Sequence, residues 1–418
     1  MDPKNLVDAR GTAAREGARA LALSSTRVKN DALLQMARGL EEKAAALIDV
    51  NHLDVEQARA AGHPRAFLDR LTLTEPRIEE MAIGLRQIAA LPDPVGSVVE
   101  TRRRADGLEI SRVRVPLGVI GFIYESRPNV TADAVGLCLK SGNAVLLRGG
   151  SEAIQTNAMI AAVLAKAIEK AGAPPEAVQF IDTIDRAAVA AMLERPDLLD
   201  LVIPRGGEAF VQWVAEHSRV PVLKHDRGLV HVFVDADADP EMAKAVVVNA
   251  KVQRPSVCNA LETLLVHRDI APRFLPAAAA RLVEAGVELR GCPATRAIVP
   301  GTRAATEADW DEEYLDLVLA VRVVADIDEA IQHIRRHGSG LAEGIVTASL
   351  AHARRFTREV DAAAVLVNAS TRLVDGGQFG MGAEMGISTS RVHARGPVGV
   401  QELTTIKYVV LGDGHLRD

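Results

Sequence analysis

The sequence is poor in aromatic residues and in cysteine, and it lacks a long apolar run. Aromatic residues occupy 3% of its 418 positions. Alanine, valine, leucine and glycine must therefore fill the interior, as is typical of α/β proteins with closely packed helices and parallel strands. The cysteines at positions 138, 258 and 292 are too widely spaced for a disulfide framework or a zinc site, which favours a reducing, cytoplasmic location. No apolar run approaches the roughly 20 residues of a membrane span, so no membrane association is expected.

The distribution of charge excludes further classes of protein. The net charge is −6, and no basic block or aromatic-studded basic patch is present, so a nucleic-acid partner is not expected. Charged residues at Asp2, Lys4, Asp8 and Arg10 precede any apolar run, so the N-terminal segment is not expected to be a signal peptide. At about 150 residues per domain, the length predicts two or three domains.

Periodicity predicts a helical region followed by two α/β units. Apolar residues recur at helical spacing up to about residue 90, for example across 29–47. From residue 117, apolar runs typical of buried strands alternate with helical segments, which predicts parallel sheets with right-handed crossovers. The apolar run 230–235 begins the second unit.

A hairpin and a late strand lie outside this alternation. Asp106-Gly107 is a hairpin-turn signal, and apolar and polar residues alternate imperfectly after it. The segment alone fits an exposed arm that pairs with another subunit and an ordinary surface hairpin equally well. The run 400–410 is expected to form a strand that could complete the same sheet.

Two glycine pairs follow predicted strands, in Arg148-Gly-Gly-Ser151 and Arg205-Gly206-Gly207. Glycine lets the backbone approach a phosphate, and the start of a following helix favours an anion. Neither loop is a dinucleotide-binding GxGxxG motif or a Walker motif. A plain turn and a nucleotide site are therefore equally supported by the two loops.

Cys258 follows Arg254, Pro255 and Ser256 and precedes an apolar run at 261–266. The start of a regular element would supply unpaired N–H groups that favour a thiolate and can hold an oxyanion. Taken alone, however, this stretch fits an inert, buried cysteine better than a nucleophile. The glycine-rich polar segment 375–384 is more typical of a site loop than of a core element.

Long motifs resemble one family. They span 124–131, 142–150, 203–207, 257–263, 367–372 and 375–397. On these residues the chain resembles the γ-glutamyl phosphate reductases (glutamate-5-semialdehyde dehydrogenases) of the aldehyde dehydrogenase superfamily, nearly from end to end. The resemblance implies an aldehyde dehydrogenase-like α/β fold with two parallel-sheet domains and a small β oligomerisation unit. The implied boundaries are 1–96 and 117–228 for the NADP(H)-binding domain, 229–395 for the catalytic domain, and 97–116 with 396–418 for the oligomerisation unit.

The implied reaction is NADPH-dependent reduction of L-glutamyl 5-phosphate to L-glutamate 5-semialdehyde and phosphate, the second step of proline biosynthesis. Cys258 would form a thioester with the acyl group. The segment 224–228 has no glutamate where hydrolytic relatives carry one that activates water, and His225 is better explained as structural than as a proton donor. The alternatives are a hydrolytic NAD(P)-dependent aldehyde dehydrogenase and a non-catalytic scaffold for the partner kinase.

The resemblance also assigns roles to individual residues, none of them as a metal ligand. Asn129 would stabilise the oxyanion together with the Cys258 N–H, or else cap a helix. Arg127 would hold phosphate or the substrate carboxylate, or else form a surface salt bridge. The remaining candidates are Ser370, Thr371 and Arg372 for the substrate, and Arg148, Ser151, Arg205, Gly206, Gly207 and Glu313 for the cofactor. The implied partners are copies of the same chain and glutamate 5-kinase.

One position departs from the family pattern. Leu341-Ala342-Glu343 stands where the family usually has histidine, then serine or threonine, then an acid. This difference bears on how the chain handles substrate or phosphate near that loop.

Overall fold

Two separately packed units make up the chain in the computed structural model, which describes residues 2–125, 127–225 and 227–417. The first unit comprises Met1–Lys224, Gly380–Gly386 and Val392–Asp418, and the second comprises His225–Phe379 and Ile387–Arg391. Ser126 and Asp226, which belong to two of the segments discussed above, lie outside the described residues. Within the described part of the chain, no helix is both long and apolar enough to span a membrane.

Helices dominate the first unit up to residue 90, as the periodicity predicts. Ser25 and Thr74 each accept a backbone N–H of the helix that follows them, which satisfies donors that have no partner inside the helix. The helical spacing across 29–47 covers two helices, because the chain leaves helical geometry at Lys43 (φ −106°, ψ 9°). The helices of this unit are α1 Pro3–Leu21, α2 Thr26–Glu42, α3 Ala44–Ala60, α4 Arg65–Leu71, α5 Glu75–Ala90, α6 Val130–Lys140, α7 Ile154–Lys170, α8 Ala187–Leu193 and α9 Glu208–His217, with short 3₁₀ helices at Ser151–Ala153 and Pro175–Ala177.

A four-stranded parallel sheet forms the centre of the first unit. Its strands are β3 Val119–Tyr124, β4 Ala144–Gly149, β5 Val178–Phe180 and β6 Leu201–Arg205, in the order β5-β4-β3-β6. Nearly every residue of these strands is buried, which explains the continuous apolar runs in the sequence. The chain adds β4 and β5 on one side of β3 and then returns to place β6 on the other side.

The predicted hairpin and late strand form one antiparallel sheet, also in the first unit. It contains β1 Val98–Arg103, β2 Glu109–Pro116 and β16 Thr404–Leu411, in the order β1-β2-β16. Gly107 has φ 93° in the hairpin turn, a conformation that favours glycine. The two-residue strand β15, Gly396–Pro397, lies in this unit as well.

The second unit contains a seven-stranded sheet in which every pair is parallel, as predicted. The strand order is β10-β9-β11-β8-β7-β12-β13. The strands are β7 His231–Val234, β8 Thr263–His267, β9 Glu288–Gly291, β10 Arg303–Ala304, β11 Val318–Val324, β12 Ala342–Val346 and β13 Ala364–Val367, with β14 Ile387–Ser388 outside this sheet. The helices are α10 Pro240–Val252, α11 Ala271–Glu284, α12 Pro293–Ile298, α13 Ile327–His337 and α14 Leu350–Glu359, with 3₁₀ helices at Glu307–Trp310 and Thr371–Leu373.

The division into units differs in detail from the boundaries expected from the sequence. The division falls after Lys224 rather than after residue 228, and residues 380–386 and 392–395 pack with the first unit. The reason is local packing: a side chain on Gly382 would meet Leu91, and Met385 is part of the first unit's core.

Candidate functional site

The strand order of the first unit reverses between β3 and β6. β3 and β6 are neighbours, and Tyr124 pairs with Arg205 at their carboxyl ends. The next residue, Glu125, donates its N–H to the Arg205 carbonyl at 3.1 Å. Ligands of open α/β sheets bind at such a reversal, beyond the carboxyl ends of the strands.

Gly207 lies at this point and precedes α9. A Cβ atom on Gly207 would meet nothing within 4 Å, so its backbone faces open space. Its N–H donates to the Glu125 carboxylate at 3.3 Å, which means that a negatively charged oxygen already lies at the start of the helix. Backbone N–H groups, the helix dipole and the missing side chain together fit the diphosphate of a dinucleotide. At Gly206, by contrast, a Cβ would lie 2.7 Å from the Glu125 carboxylate.

Arg148 is less accessible than its predicted role requires. The side chain is buried and donates to the carbonyl oxygens of Gly149 and Ile184, at 2.8 and 3.3 Å. Burial lowers its pKa, although neighbouring carboxylates oppose the effect. Ser151 is exposed at the start of a 3₁₀ helix, where its hydroxyl donates to Glu152 at 3.5 Å. Two hydrogen bonds of the Arg148 guanidinium therefore go to backbone carbonyl oxygens instead of to a ligand.

The other predicted residues of the first unit lie on or near its surface. Asn129 is exposed in the position that precedes α6, yet its side chain makes no capping hydrogen bond. Asn129 therefore occupies the N-cap position of α6 but does not cap the helix through its side chain. Arg127 is exposed. The Arg205 guanidinium packs on Gly386, where a Cβ would lie 2.5 Å from it and where φ is 148°.

Cys258 lies in the second unit, half-buried in a turn between α10 and β8. The next regular element is a strand that begins five residues later, at Thr263, so Cys258 does not lie at the start of a regular element, where unpaired N–H groups were expected. The backbone of Gly228 approaches this turn closely. A Cβ on Gly228 would lie 2.6 Å from the Cys258 Cα and 2.6 Å from the Glu313 carboxylate. The structure thus brings together two predicted residues, Cys258 and Glu313, around a glycine that no side chain could replace.

Arg372 joins the same cluster. Its guanidinium donates to Gln253 at 2.8 Å and to the side-chain oxygen of Asn259, the residue after Cys258. Burial and the positive charge of Arg254 lower the pKa of Arg372, whereas Asp375 and Cys258 raise it. Two guanidinium groups therefore share the surroundings of the thiol, and cations in such positions stabilise a thiolate or a bound anion.

The neighbours of Arg372 contribute differently from the prediction. Ser370 accepts the Arg372 N–H at 3.3 Å and so shapes the turn. Thr371 is fully buried, and a side chain on Gly344 would touch its methyl group. Burial leaves Thr371 without access to a substrate.

The unusual pair Leu341 and Ala342 lies beneath the thiol. Both residues are fully buried in an apolar cluster with Val230 and Val374, and Cys258 packs against this cluster. Leu341 and Ala342 therefore form an apolar floor under Cys258.

Several residues of the two sites were missed in the sequence. Glu125 directly follows a buried strand at the same sheet edge as Gly207, which was a usable signal. Gly228 precedes the buried run 230–235 and Asn259 adjoins Cys258, but their contacts with Glu313 and Arg372 join positions more than 80 residues apart. Periodicity carries no information about such pairs.

Comparisons with known proteins show the family to which the chain belongs. The family model described as "Aldehyde dehydrogenase family" matches residues 3–296 and 302–409. The γ-glutamyl phosphate reductase of Moorella thermoacetica is 55% identical over 411 residues, which cover 98% of each chain, and that of Geobacter metallireducens is 53% identical over 404 residues, which cover 97% of each. The crystal structure of the γ-glutamyl phosphate reductase of Thermotoga maritima superposes with a TM-score of 0.97 at 48% identity, covering 99% of this chain and 100% of that one. The chain therefore belongs to the aldehyde dehydrogenase family, with its fold, and within that family to the γ-glutamyl phosphate reductases.

Proposed function

We propose that the chain reduces L-glutamyl 5-phosphate to L-glutamate 5-semialdehyde with NADPH, as the second step of proline biosynthesis. The observation that carries the proposal is the position of Cys258, in one cluster with Glu313 and with Arg372, which donates to the neighbouring Asn259. The names of the closely related reductases support the same substrate.

The cluster suits acyl transfer from an acyl phosphate. Arg254 and Arg372 favour the thiolate of Cys258 and can receive the anionic phosphate as it leaves. The thiolate sulfur forms a bond to the acyl carbon, the bond from that carbon to the phosphate oxygen breaks, and a thioester results. The oxyanion role predicted for Asn129 and the anion-binding role predicted for Arg127 belong to this proposal.

A reduced nicotinamide dinucleotide would supply the hydride that converts the thioester into the aldehyde. Gly206 and Gly207 would hold its diphosphate at the start of α9, and Glu313 would accept hydrogen bonds from the nicotinamide ribose. We propose NADPH rather than NADH because Arg148 would bind the 2′-phosphate of the cofactor. Arg205 and Ser151, in the two glycine-pair motifs of the first unit, would contribute to the same cofactor site.

A reductase must also keep water away from the thioester. The segment 224–228 contains no glutamate, and Cys258 packs on the apolar cluster that contains Leu341 and Ala342. An apolar floor and a missing base both disfavour hydrolysis. They argue against the alternative of a hydrolytic aldehyde dehydrogenase, and the assembled cluster argues against a scaffold without catalysis.

The reverse reaction tests the proposal directly. Purified protein would be mixed with NADP⁺ and glutamate 5-semialdehyde, and NADPH formation followed by absorbance with and without phosphate or arsenate. We expect turnover that requires one of the two anions. Turnover without either anion would identify a hydrolytic enzyme, and bound cofactor without turnover would favour a scaffold.

The assembly state forms a separate part of the proposal. The sheet β1-β2-β16 exposes apolar side chains on both outer strands, among them Val99 and, at 67% exposure, Tyr408. Such a surface favours pairing with a second copy of the chain. Light scattering should give the mass of an oligomer, and adding glutamate 5-kinase would show whether that enzyme binds as well.

A further inference from the structure

A buried ion pair lies next to the cluster and has no role in the chemistry described above. Lys251 Nζ is 2.7 Å from the Glu262 carboxylate, and the two side chains are 0% and 1% exposed. Lys251 belongs to the last turn of α10, and Glu262 immediately precedes β8. The pair thus encloses the turn that carries Cys258, at both of its ends.

The ion pair contacts the segment 311–317, which carries Glu313. Leu315 donates its N–H to the second carboxylate oxygen of Glu262 at 3.3 Å. Lys251 Nζ lies 5.9 Å from the centroid of the Tyr314 ring, within the range of a cation–π contact. Asp316 adds an attractive negative charge near Lys251. Tyr314 and Leu315 of this segment are therefore in direct contact with the buried pair.

Leu315 needs such support because of its backbone geometry. Its φ is 51°, and only one other non-glycine residue in the described part of the chain has a positive φ. Residues with a side chain rarely adopt this left-handed conformation, which persists where the surrounding contacts fix it. The hydrogen bond from the Leu315 N–H to Glu262 is a contact of this kind.

Glu313, two residues earlier, faces the catalytic turn. Its carboxylate lies 2.6 Å from the place where a Cβ of Gly228 would be, and that place is equally close to the Cys258 Cα. Burial raises the pKa of Glu262 to about 7, and the negative charge of Glu313 adds to this rise. The segment thus connects the buried pair to Glu313 over a few residues.

We propose that the buried side chain of Glu262, whose charge Lys251 neutralises, is a positioning group: its second oxygen holds the left-handed turn at Leu315 and thereby presents the Glu313 carboxylate beside Gly228 and Cys258. Glu262 does not touch a ligand and acts through Glu313. The consequence for cofactor binding rests on the proposed function, whereas the anchoring of the segment does not.

Two double variants separate anchoring from general stability. Lys251→Met with Glu262→Gln and Lys251→Met with Glu262→Leu both remove the two charges together, which avoids leaving one buried charge without its partner. The glutamine retains a carbonyl oxygen that can accept the Leu315 N–H, and the leucine does not. The first variant is therefore the matched control for the second.

Hydrogen exchange of the ligand-free protein tests the anchor. In the leucine variant we expect the amides of 311–317 to exchange about tenfold faster than in the wild type, as loss of one hydrogen bond implies. The glutamine variant should stay within about twofold of the wild type, and α11 should be unchanged in both. Equal exchange at 311–317 in the two variants would overturn the proposal.

The affinity for NADPH tests the connection to Glu313. We expect the dissociation constant, measured by fluorescence, to rise about tenfold in the leucine variant and little in the glutamine variant. On a Glu313→Ala background the leucine change should add nothing, because a residue that acts through Glu313 is not additive with it. If the leucine change and Glu313→Ala weaken NADPH binding additively, the connection to Glu313 is wrong. A wild type that does not bind NADPH would refute the proposed function, while the exchange measurement would still decide whether the acceptor at Glu262 anchors the segment.

Discussion

The two units build their sites at opposite ends of their parallel strands. In the first unit, Glu125 and Gly207 follow β3 and β6, at the carboxyl ends. In the second, Gly228, Cys258 and Glu313 precede β7, β8 and β11, at the amino ends. The first site consists mainly of backbone at glycines, whereas the second depends on charged side chains.

Helix dipoles explain this difference. Helices of a parallel α/β unit begin near the carboxyl ends of the strands and end near the amino ends. An anion at Gly207 is therefore stabilised by the start of α9. The end of α10 instead points toward the Cys258 turn, where the Leu261 N–H binds the Ala250 carbonyl. A thiolate there meets the negative end of a helix, so side chains such as Arg372 must supply the positive charge.

Removing the thiol should have the largest effect. Cys258→Ala eliminates the nucleophile, and we expect the rate of reduction to fall by at least about a thousandfold. Binding of NADPH should remain, because the glycine site lies on the other unit. Turnover and the NADPH dissociation constant would be measured on the same preparation. The mechanism is wrong if reduction survives in this variant.

Cys292→Ala provides the matched control. Burial alone would raise the pKa of Cys292, but donors from Thr295 and from the Val323 backbone lower it overall. Cys292 can therefore also react with alkylating reagents. We expect this variant to keep full activity and to remain sensitive to iodoacetamide, with mass spectrometry locating the modification at Cys258.

The sequence predicted the first unit better than the second. Periodicity predicts the strands and their parallel pairing, and short motifs predict the glycine loops. Because the carboxyl ends of parallel strands meet at one edge of a sheet, this topology then places the loops together. The turn at Leu315 had no local signal, since leucine rarely has a positive φ. The burial of Thr371 and the contacts between Glu313 and Gly228 depend on tertiary packing. The roles of Cys258 and Arg372 were predicted through the family resemblance rather than from spacing.

A change at Gly207 should disrupt the backbone site selectively. Because a Cβ there meets no protein atom, Gly207→Val should fold normally and yet obstruct the approach of a diphosphate. We expect the NADPH dissociation constant to rise about tenfold or more, with an unchanged melting temperature and unchanged alkylation of Cys258. Gly84→Ala in α5 is the control, since its new methyl group would have an ordinary contact with Asp133 of α6. Unchanged affinity in Gly207→Val would place the diphosphate elsewhere.

A change at Arg372 should disrupt the side-chain site. Arg372→Ala removes a charge and two hydrogen bonds next to Cys258, and we expect kcat/KM for the acyl phosphate to fall about tenfold to a hundredfold. Arg372→Lys should lie between the alanine variant and the wild type, because lysine keeps the charge but lacks the planar fork. The exposed Arg358 on α14 serves as an alanine control. Equal losses for lysine and alanine would show that geometry, rather than charge, matters at this position.

The units should also differ in their sensitivity to acid. The buried histidines of the described residues, His231, His333 and His337, all belong to the second unit. Burial and the nearby charges of His231, His337, Arg322 and Arg336 lower the pKa of His333 to about 2. His333 therefore stays neutral in the folded protein. Its contribution to folding stability is fully present above pH 6.5, the ordinary pKa of histidine. This contribution is lost as the pH falls from that value toward the folded-state pKa.

His333→Gln should reduce the loss of folding stability at acid pH in the second unit alone. Below pH 6, one histidine that must stay neutral costs about 1.4 kcal/mol of unfolding free energy per pH unit, and the variant should lose that slope. Trp213 lies in the first unit and Trp310 in the second, so Trp213→Phe leaves a fluorescence probe of the second unit and Trp310→Phe a probe of the first. Urea unfolding at pH 5 and pH 7 would be compared, with the exposed His52→Gln as control. An equal pH slope in wild type and His333→Gln would mean that the buried histidines do not separate the two units, and that the contrast between them is confined to their ligand sites.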